Sequence, residues 1–176
     1  MSEKVTIKAE RRELHLPAIA LRGLVVFPNN LVHFEVGREK SIAAVEWAMA
    51  NNSNVFLVAQ KSMDTTEPQQ ADLFSYGVVA EVKQVLRVSG DLVKVLVEGK
   101  YRAKLSALDA SGDFLLSEVR PAPVRAGKAD DAVETEALLR ALKAGFDEYL
   151  GMNPRLGKDV VFAIVSSDDP AFLSEY

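Results

Sequence analysis

The sequence predicts an α+β protein: a strand-rich part over residues 1–120 that carries one helix, then a helical part over 130–176. Three observations carry this. Apolar and polar residues alternate with period two around 32–36 and 93–97, as in half-buried strands. Turn residues separate closely spaced strands, the pattern of a small barrel or sandwich. Beyond 130 the apolar spacing changes to that of a helix.

The strands come first. Val32, Phe34 and Val36 point one way, and Leu31, His33 and Glu35 the other. The run 55–59 is continuously apolar and reads as a strand buried on both faces. Residues 77–88 read as a long strand, which Ser89-Gly90-Asp91 turn back as a hairpin. Val93, Val95 and Val97 then face inward, with Lys94 and Glu98 outward. Tyr101, Ala103, Leu105 and Ala107 make a second inward row, and a turn at 109–113 leads into 114–119.

One helix, 41–51, interrupts the strands. Ile42, Val45, Ala48 and Met49 share its apolar face. Trp47 falls opposite, at about 100° per residue. Two placements fit it: packing under the polar loop 61–72 or against the helical part, or exposure as an aromatic contact. Residues 121–129, with Pro121, Pro123 and Gly127, read as a linker. From 130 to 150 a helix carries the stripe Leu138, Leu139, Leu142, Phe146, Tyr149 and Leu150, and Gly151 is expected to stop it. The run 160–165 reads as either strand or helix. Asp169 is placed to cap a last helix that begins at Pro170. That helix has few residues before Tyr176, so the chain is expected to be a piece of something longer.

Composition bounds the chemistry. The chain has 176 residues, 48% hydrophobic and 26% charged, enough for a packed core. It has no Cys, which excludes disulfides and thiolate metal sites and agrees with a reducing cytosol. The opening residues MSEKVTIKAERRE have no apolar centre, so no signal peptide is expected. The longest apolar run falls far short of the ~20 residues of a membrane span. A soluble, cytoplasmic chain with no membrane partner is expected. Net charge is −4. Residues 1–120 balance at 15 basic and 15 acidic groups, while 121–176 hold 6 and 10. Neither part has the basic stripe that phosphate contacts need, so nucleic acid is not an expected ligand.

Gly99-Lys100 and Gly157-Lys158 lack the upstream Gly and the following hydroxyl of a phosphate loop. No GxSxG occurs, and Lys61-Ser62 sits in a polar loop. His15 and His33 have no His or Cys partner at ligand spacing, so no metal is expected. Asp168-Asp169 reads as a helix start rather than a catalytic pair. The pattern suits a binding or scaffold module better than an enzyme, and no catalytic or cofactor-binding residue is assigned.

Five motifs in order then carry a resemblance: LPAIALRGLVVFP (16–28), VGREKSIAAVEWAM (36–49), VFLVAQK (55–61), DLFSYGVVAEV (72–82) and VKVLVEGKYRAKL (93–105). Together they resemble the N-terminal domain of Lon, the ATP-dependent serine protease. The tail SSDDPAFLSEY is similar to the Ser-x-Asp-Asp-Pro segment of the family's helical part. Ala20 and Gly23 depart from the family's usual Pro and Asp or Asn. The resemblance implies a PUA-like twisted β-barrel followed by helices, and it settles 160–165 as helix. It implies recognition of unfolded, damaged or degron-bearing client proteins and help in organising a homohexamer of Lon subunits. ATP, Mg, the P-loop and the Ser-Lys dyad are implied only for a downstream part. A mainly structural, oligomerising module and a stand-alone Lon-domain-like binding protein are the alternatives.

Within this reading, Leu24, Val25, Val26 and Phe27 are expected to build core, with Pro28 stiffening a turn. Arg22 and Arg38 are expected to be orienting salt-bridge residues. The candidate client surface comprises Trp47, Phe27, Pro28, Leu31, Leu73, Phe74 and Tyr76. These are apolar residues beside turns, at the end of a polar loop, or off the helix stripe.

Overall fold

In the computed structural model, which describes residues 13–89, 92–123, 132–153 and 155–176, the chain divides into two units, 1–123 and 124–176. The first contains β1 (Leu14–Leu21), β2 (Leu31–Val36), α1 (Glu39–Ala50), β3 (Asn54–Ala59), β4 (Tyr76–Ser89), β5 (Leu92–Asp109) and β6 (Leu115–Pro121). Strand order is β2-β5-β4-β3-β1-β6, and β6 pairs back onto β5. That pairing closes β5, β4, β3, β1 and β6 into a ring, which removes their free edges. β2 joins the N-terminal half of β5 from outside the ring. The β1–β3 pair is parallel, so the chain crosses over between them, and α1 lies on that crossover. The α+β class and the ring of strands agree with the sequence expectation.

Period-two alternation sorts this unit into two cores. Ile19 and Leu21 of β1, Val55 and Leu57 of β3, and Val93, Val95 and Val97 of β5 pack with Ala44, Val45 and Ala48 of α1. Ala18, Ala20, Phe56 and Val58 point the other way, into a core with Val79, Ala103, Leu105, Leu115 and Val119. β1 and β3 are therefore a wall between two apolar interiors, which is why 55–58 is apolar without interruption. Each buried Val, Leu, Ile or Phe side chain among these contributes about 1.5–3 kcal/mol.

Two register shifts alter the expected inward row on β5. Val79 pairs with Tyr101 but Ala80 pairs with Gly99, so Lys100 is an extra residue. Leu105 pairs with Val119 but Ala107 pairs with Glu118, which makes Ser106 a second. After one inserted residue every side chain changes face. Ala103 and Leu105 are inside as expected, but Ala107 is exposed and Leu108 packs against the core in its place. Tyr101, beside the first bulge, is also exposed.

Helix α1 is rotated from the expected stripe. It buries Ser41, Ala44, Val45 and Ala48, while Met49 is exposed. Small residues let the helix axis approach the strands beneath it, and Met49 is too large for that line. Gly90 and Asp91 of the expected hairpin, and residues 124–129 of the expected linker, lie outside the described residues.

The second unit holds α2 (Ala132–Met152), α3 (Lys158–Ser166) and α4 (Pro170–Glu175). α2 runs through Gly151 rather than stopping there. Asn153 ends it, donating its N–H and its side-chain amide to the Tyr149 carbonyl. Leu139, Phe146 and Leu150 of the stripe are half-buried, while Leu138, Leu142 and Tyr149 are exposed. The ambiguous run 160–165 is helical. Asp169 caps α4, accepting from the Ala171 N–H at 2.9 Å, with Pro170 at the first position. Lys143 of α2 reaches Asp168, just before that cap, at 2.7 Å.

Candidate functional site

After β1 the chain turns at Gly23, whose φ of 63° is left-handed and suits glycine. Residues 24–27 then run extended without strand pairing. Alternation continues: Val26 is buried, while Val25 and Phe27 stand out at 60% and 42% exposure. The expectation that all four residues at 24–27 build core is corrected here, because an unpaired extended segment buries only one face. Asn29 also has φ 63°, which Asn tolerates. The turn is bonded to β5 by Asn29 N–H to the Gly99 carbonyl (2.9 Å) and Gly99 N–H to the Asn30 carbonyl (3.0 Å).

A second apolar segment faces this one. Leu73 makes a bridge with Gln60 and is only 2% exposed, so it belongs to the core and not to a rim. Phe74 donates its N–H to the Ala59 carbonyl, which turns its side chain outward. Gly77, second in β4, lies against β3, where a β-carbon would lie 2.3 Å from the Leu57 carbonyl oxygen and 2.7 Å from the Phe56 ring. Phe74 and Tyr76 are 51% and 54% exposed.

Between the two segments lie two adjoining hollows. The larger, about 480 Å³, is lined by Leu21, Val25, Val26, Leu57, Phe74 and Tyr76, among others. The smaller, about 310 Å³, shares Val25, Val26, Tyr76 and Gly77 with it and adds Phe27, Pro28 and Arg102. The result is a continuous apolar groove, open to solvent.

A polar pin stands nearby. Arg38 donates to the Ala20 carbonyl (3.3 Å), to Gln60 Oε1 (2.5 Å) and to the Thr65 carbonyl (3.2 Å), and Arg22 donates to the same Thr65 oxygen. Gln60, itself buried, donates to the Ser62 and Thr65 carbonyls. Both arginines orient the chain as expected, but on carbonyl and amide oxygens instead of carboxylates. Burial, then the neighbouring Arg22, pulls Arg38 below its ordinary pKa, with Glu67 opposing.

On the β4–β5 surface, Glu81, Lys83, Glu98 and Lys100 form a square of four contacts at 2.7–2.9 Å. Hydrogen bonds from Lys100 and Lys83 lower Glu98 to about 2. Bonds to Glu81 and then Glu98 raise Lys100, and bonds to Glu98 and then Glu81 raise Lys83.

Of the residues singled out from sequence, Phe27, Pro28, Phe74 and Tyr76 meet at the groove, although Pro28 itself is buried. Leu31 and Trp47 are exposed but line neither hollow. The Trp47 ring packs on Phe114, with centroids 5.6 Å apart. Val25 was missed. Its signal was alternation with Val26 across an unpaired stretch, masked by a run of four apolar residues. No cluster of three metal-ligating side chains occurs among the described residues. No helix there is long and apolar enough to cross a membrane.

Residues 15–176 match the family described as the ATP-dependent protease La (LON) substrate-binding domain. The chain belongs to this Lon family. It is 38% identical over 167 residues to the Lon protease of Escherichia coli, covering 94% of this chain and 21% of that one. It is 37% identical over 160 residues to the Lon protease of Desulforamulus reducens, covering 91% of this chain and 19% of that one. The chain thus spans about a fifth of the length of these Lon relatives. Its fold is that of solved Lon N-terminal domains. The one from the Mycobacterium avium complex superposes with a TM-score of 0.68 at 20% identity, over 92% of this chain and 80% of that one. The one from Xanthomonas campestris gives 0.50 at 15%, over 89% and 92%.

Proposed function

We propose that this chain is the part of a Lon protease that captures protein substrates, and that the groove between 24–28 and 73–77 holds exposed apolar segments of unfolded or damaged clients. The observation that supports this is the convergence of Val25, Phe27, Phe74 and Tyr76, all exposed, on two adjoining apolar hollows. A folded client hides such segments, and contiguous exposed apolar surface commonly marks an interaction site. Client contact falls on these four side chains in this reading, with Trp47 and Leu31 outside it. The chain itself carries out no hydrolysis. ATP, Mg and the peptidase belong to other parts of the protease, which works in the cytoplasm as a homohexamer. Residues 1–120 form the client-binding domain, 121–129 a joint, and 130–176 a helical subdomain.

The test is binding of the 176-residue chain to one protein in permanently unfolded and in native form. Capture of the unfolded form alone is expected, without turnover of ATP or of the client. Equal affinity for both forms would discard the reading. An oligomerising role is the second reading. It is favoured by the exposed Leu138, Leu142 and Tyr149 of α2 and Phe162 of α3, and sedimentation of the chain tests it.

A further inference from the structure

The groove has one charged side. Tyr76 and Lys104 are cross-strand partners on β4 and β5, and Val78 and Arg102 are partners on the same face. Arg102 lines the smaller hollow, and the Lys104 Nζ stands 6.0 Å from the centre of the Tyr76 ring, a wall of both hollows. Neighbouring cations have carboxylates: Lys100 has Glu81 and Glu98, and Arg120, opposite Lys104 in register, has Glu13. Among the described residues Lys104 has no carboxylate partner, and no Asp or Glu lines either hollow.

We propose that the groove prefers apolar segments flanked by Asp or Glu, the acidic side chain settling beside Lys104 while the apolar residues fill the hollows. This rests on the groove being the client site. Apolar contact is indifferent to what flanks a segment, so charge at the rim is what distinguishes one apolar segment from another. A lysine held over an aromatic wall offers that charge without a desolvation cost, because the pair stays at the solvent edge. The same exposure makes the preference modest and sensitive to salt.

The test uses three peptides with one apolar core, blocked at both ends and flanked by Glu, by Gln or by Lys. Their affinities for the 176-residue chain are read by fluorescence anisotropy. The Glu-flanked peptide is expected to bind about two- to five-fold more tightly than the Gln-flanked one at low salt. The difference should vanish near ~1 M salt, and Lys104→Glu should reverse the order. Equal affinity for all three, or tightest binding of the Lys-flanked peptide, overturns the charge preference and leaves the apolar groove standing. Binding of none of them overturns both.

Discussion

Gly99 of β5 lies so close to Phe27 that a β-carbon at position 99 would stand 2.3 Å from the Phe27 carbonyl oxygen. Two backbone hydrogen bonds hold the turn at that distance. Gly99→Ala must push the turn away, and with it one wall of the groove. A loss of about 1–3 kcal/mol is expected from urea unfolding, the usual size of overpacking effects. An unchanged midpoint would mean that the turn yields without strain.

Leu73 and Phe74 are sequence neighbours with opposite roles. Phe74→Ala should weaken binding of an unfolded client by about 1–2 kcal/mol, while stability stays within about 0.5 kcal/mol. Leu73→Ala should instead cost about 2–5 kcal/mol of stability, as for buried leucines in general. Calorimetry of each variant with and without client separates the two, and the reverse pattern would remove Phe74 from the site.

The charge square gives a pH dependence of fixed sign. Glu98 is lowered in the folded protein from 4.5 to about 2 by Lys100 and Lys83. Its contribution is therefore full above pH 4.5 and is lost as pH falls toward 2. Glu98→Gln should be less stable than the parent at neutral pH, with the gap closing near pH 2. All four groups are at the surface, so the gap should be small and should shrink in high salt. A gap that widened in acid would contradict the assignment.

Arg38 holds three oxygens from two other stretches of chain, Ala20 in β1 and Gln60 and Thr65 beyond β3. A lysine has no planar fork with which to repeat this. Arg38→Lys is expected to cost about 1–3 kcal/mol and to make 61–72 the first site of limited proteolysis. Cleavage elsewhere first would show that the loop is held by other means.

Much of the strand pattern was legible because the pleat enforces it: Val32, Phe34, Val36 and Val93, Val95, Val97 have the faces their spacing gave them. The pattern breaks where the backbone inserts a residue. The bulge at Ser106 puts Ala107 outside, and no side chain announces it. It breaks again where size and closeness compete, since α1 presents its alanines to the strands and leaves Met49 out. Half of the groove was legible from apolar residues beside turns, namely Phe27, Phe74 and Tyr76. Val25 and Leu73 were exchanged between surface and core. An isolated bridge at Gln60 and an unpaired stretch at 24–27 decide those two positions, and both depend on distant partners.

The pairing of β1 with β6 has a consequence for biosynthesis. Ser117 donates its hydroxyl to the Leu16 carbonyl across 101 residues of sequence. Nothing nearer in the chain completes that side of β1, because residues 14–18 have β6 as their partner there. At ~5–20 residues per second, the ribosome leaves this edge waiting for roughly 5–20 s. The nascent chain in that interval displays apolar backbone whose partner strand is not yet made, the kind of segment the proposed groove would hold. Nascent chains stalled before Leu115 should be cut readily by protease, and chains stalled well beyond Pro121 should resist. On the function proposed above, the chain is for those seconds a segment of the kind its own groove would take.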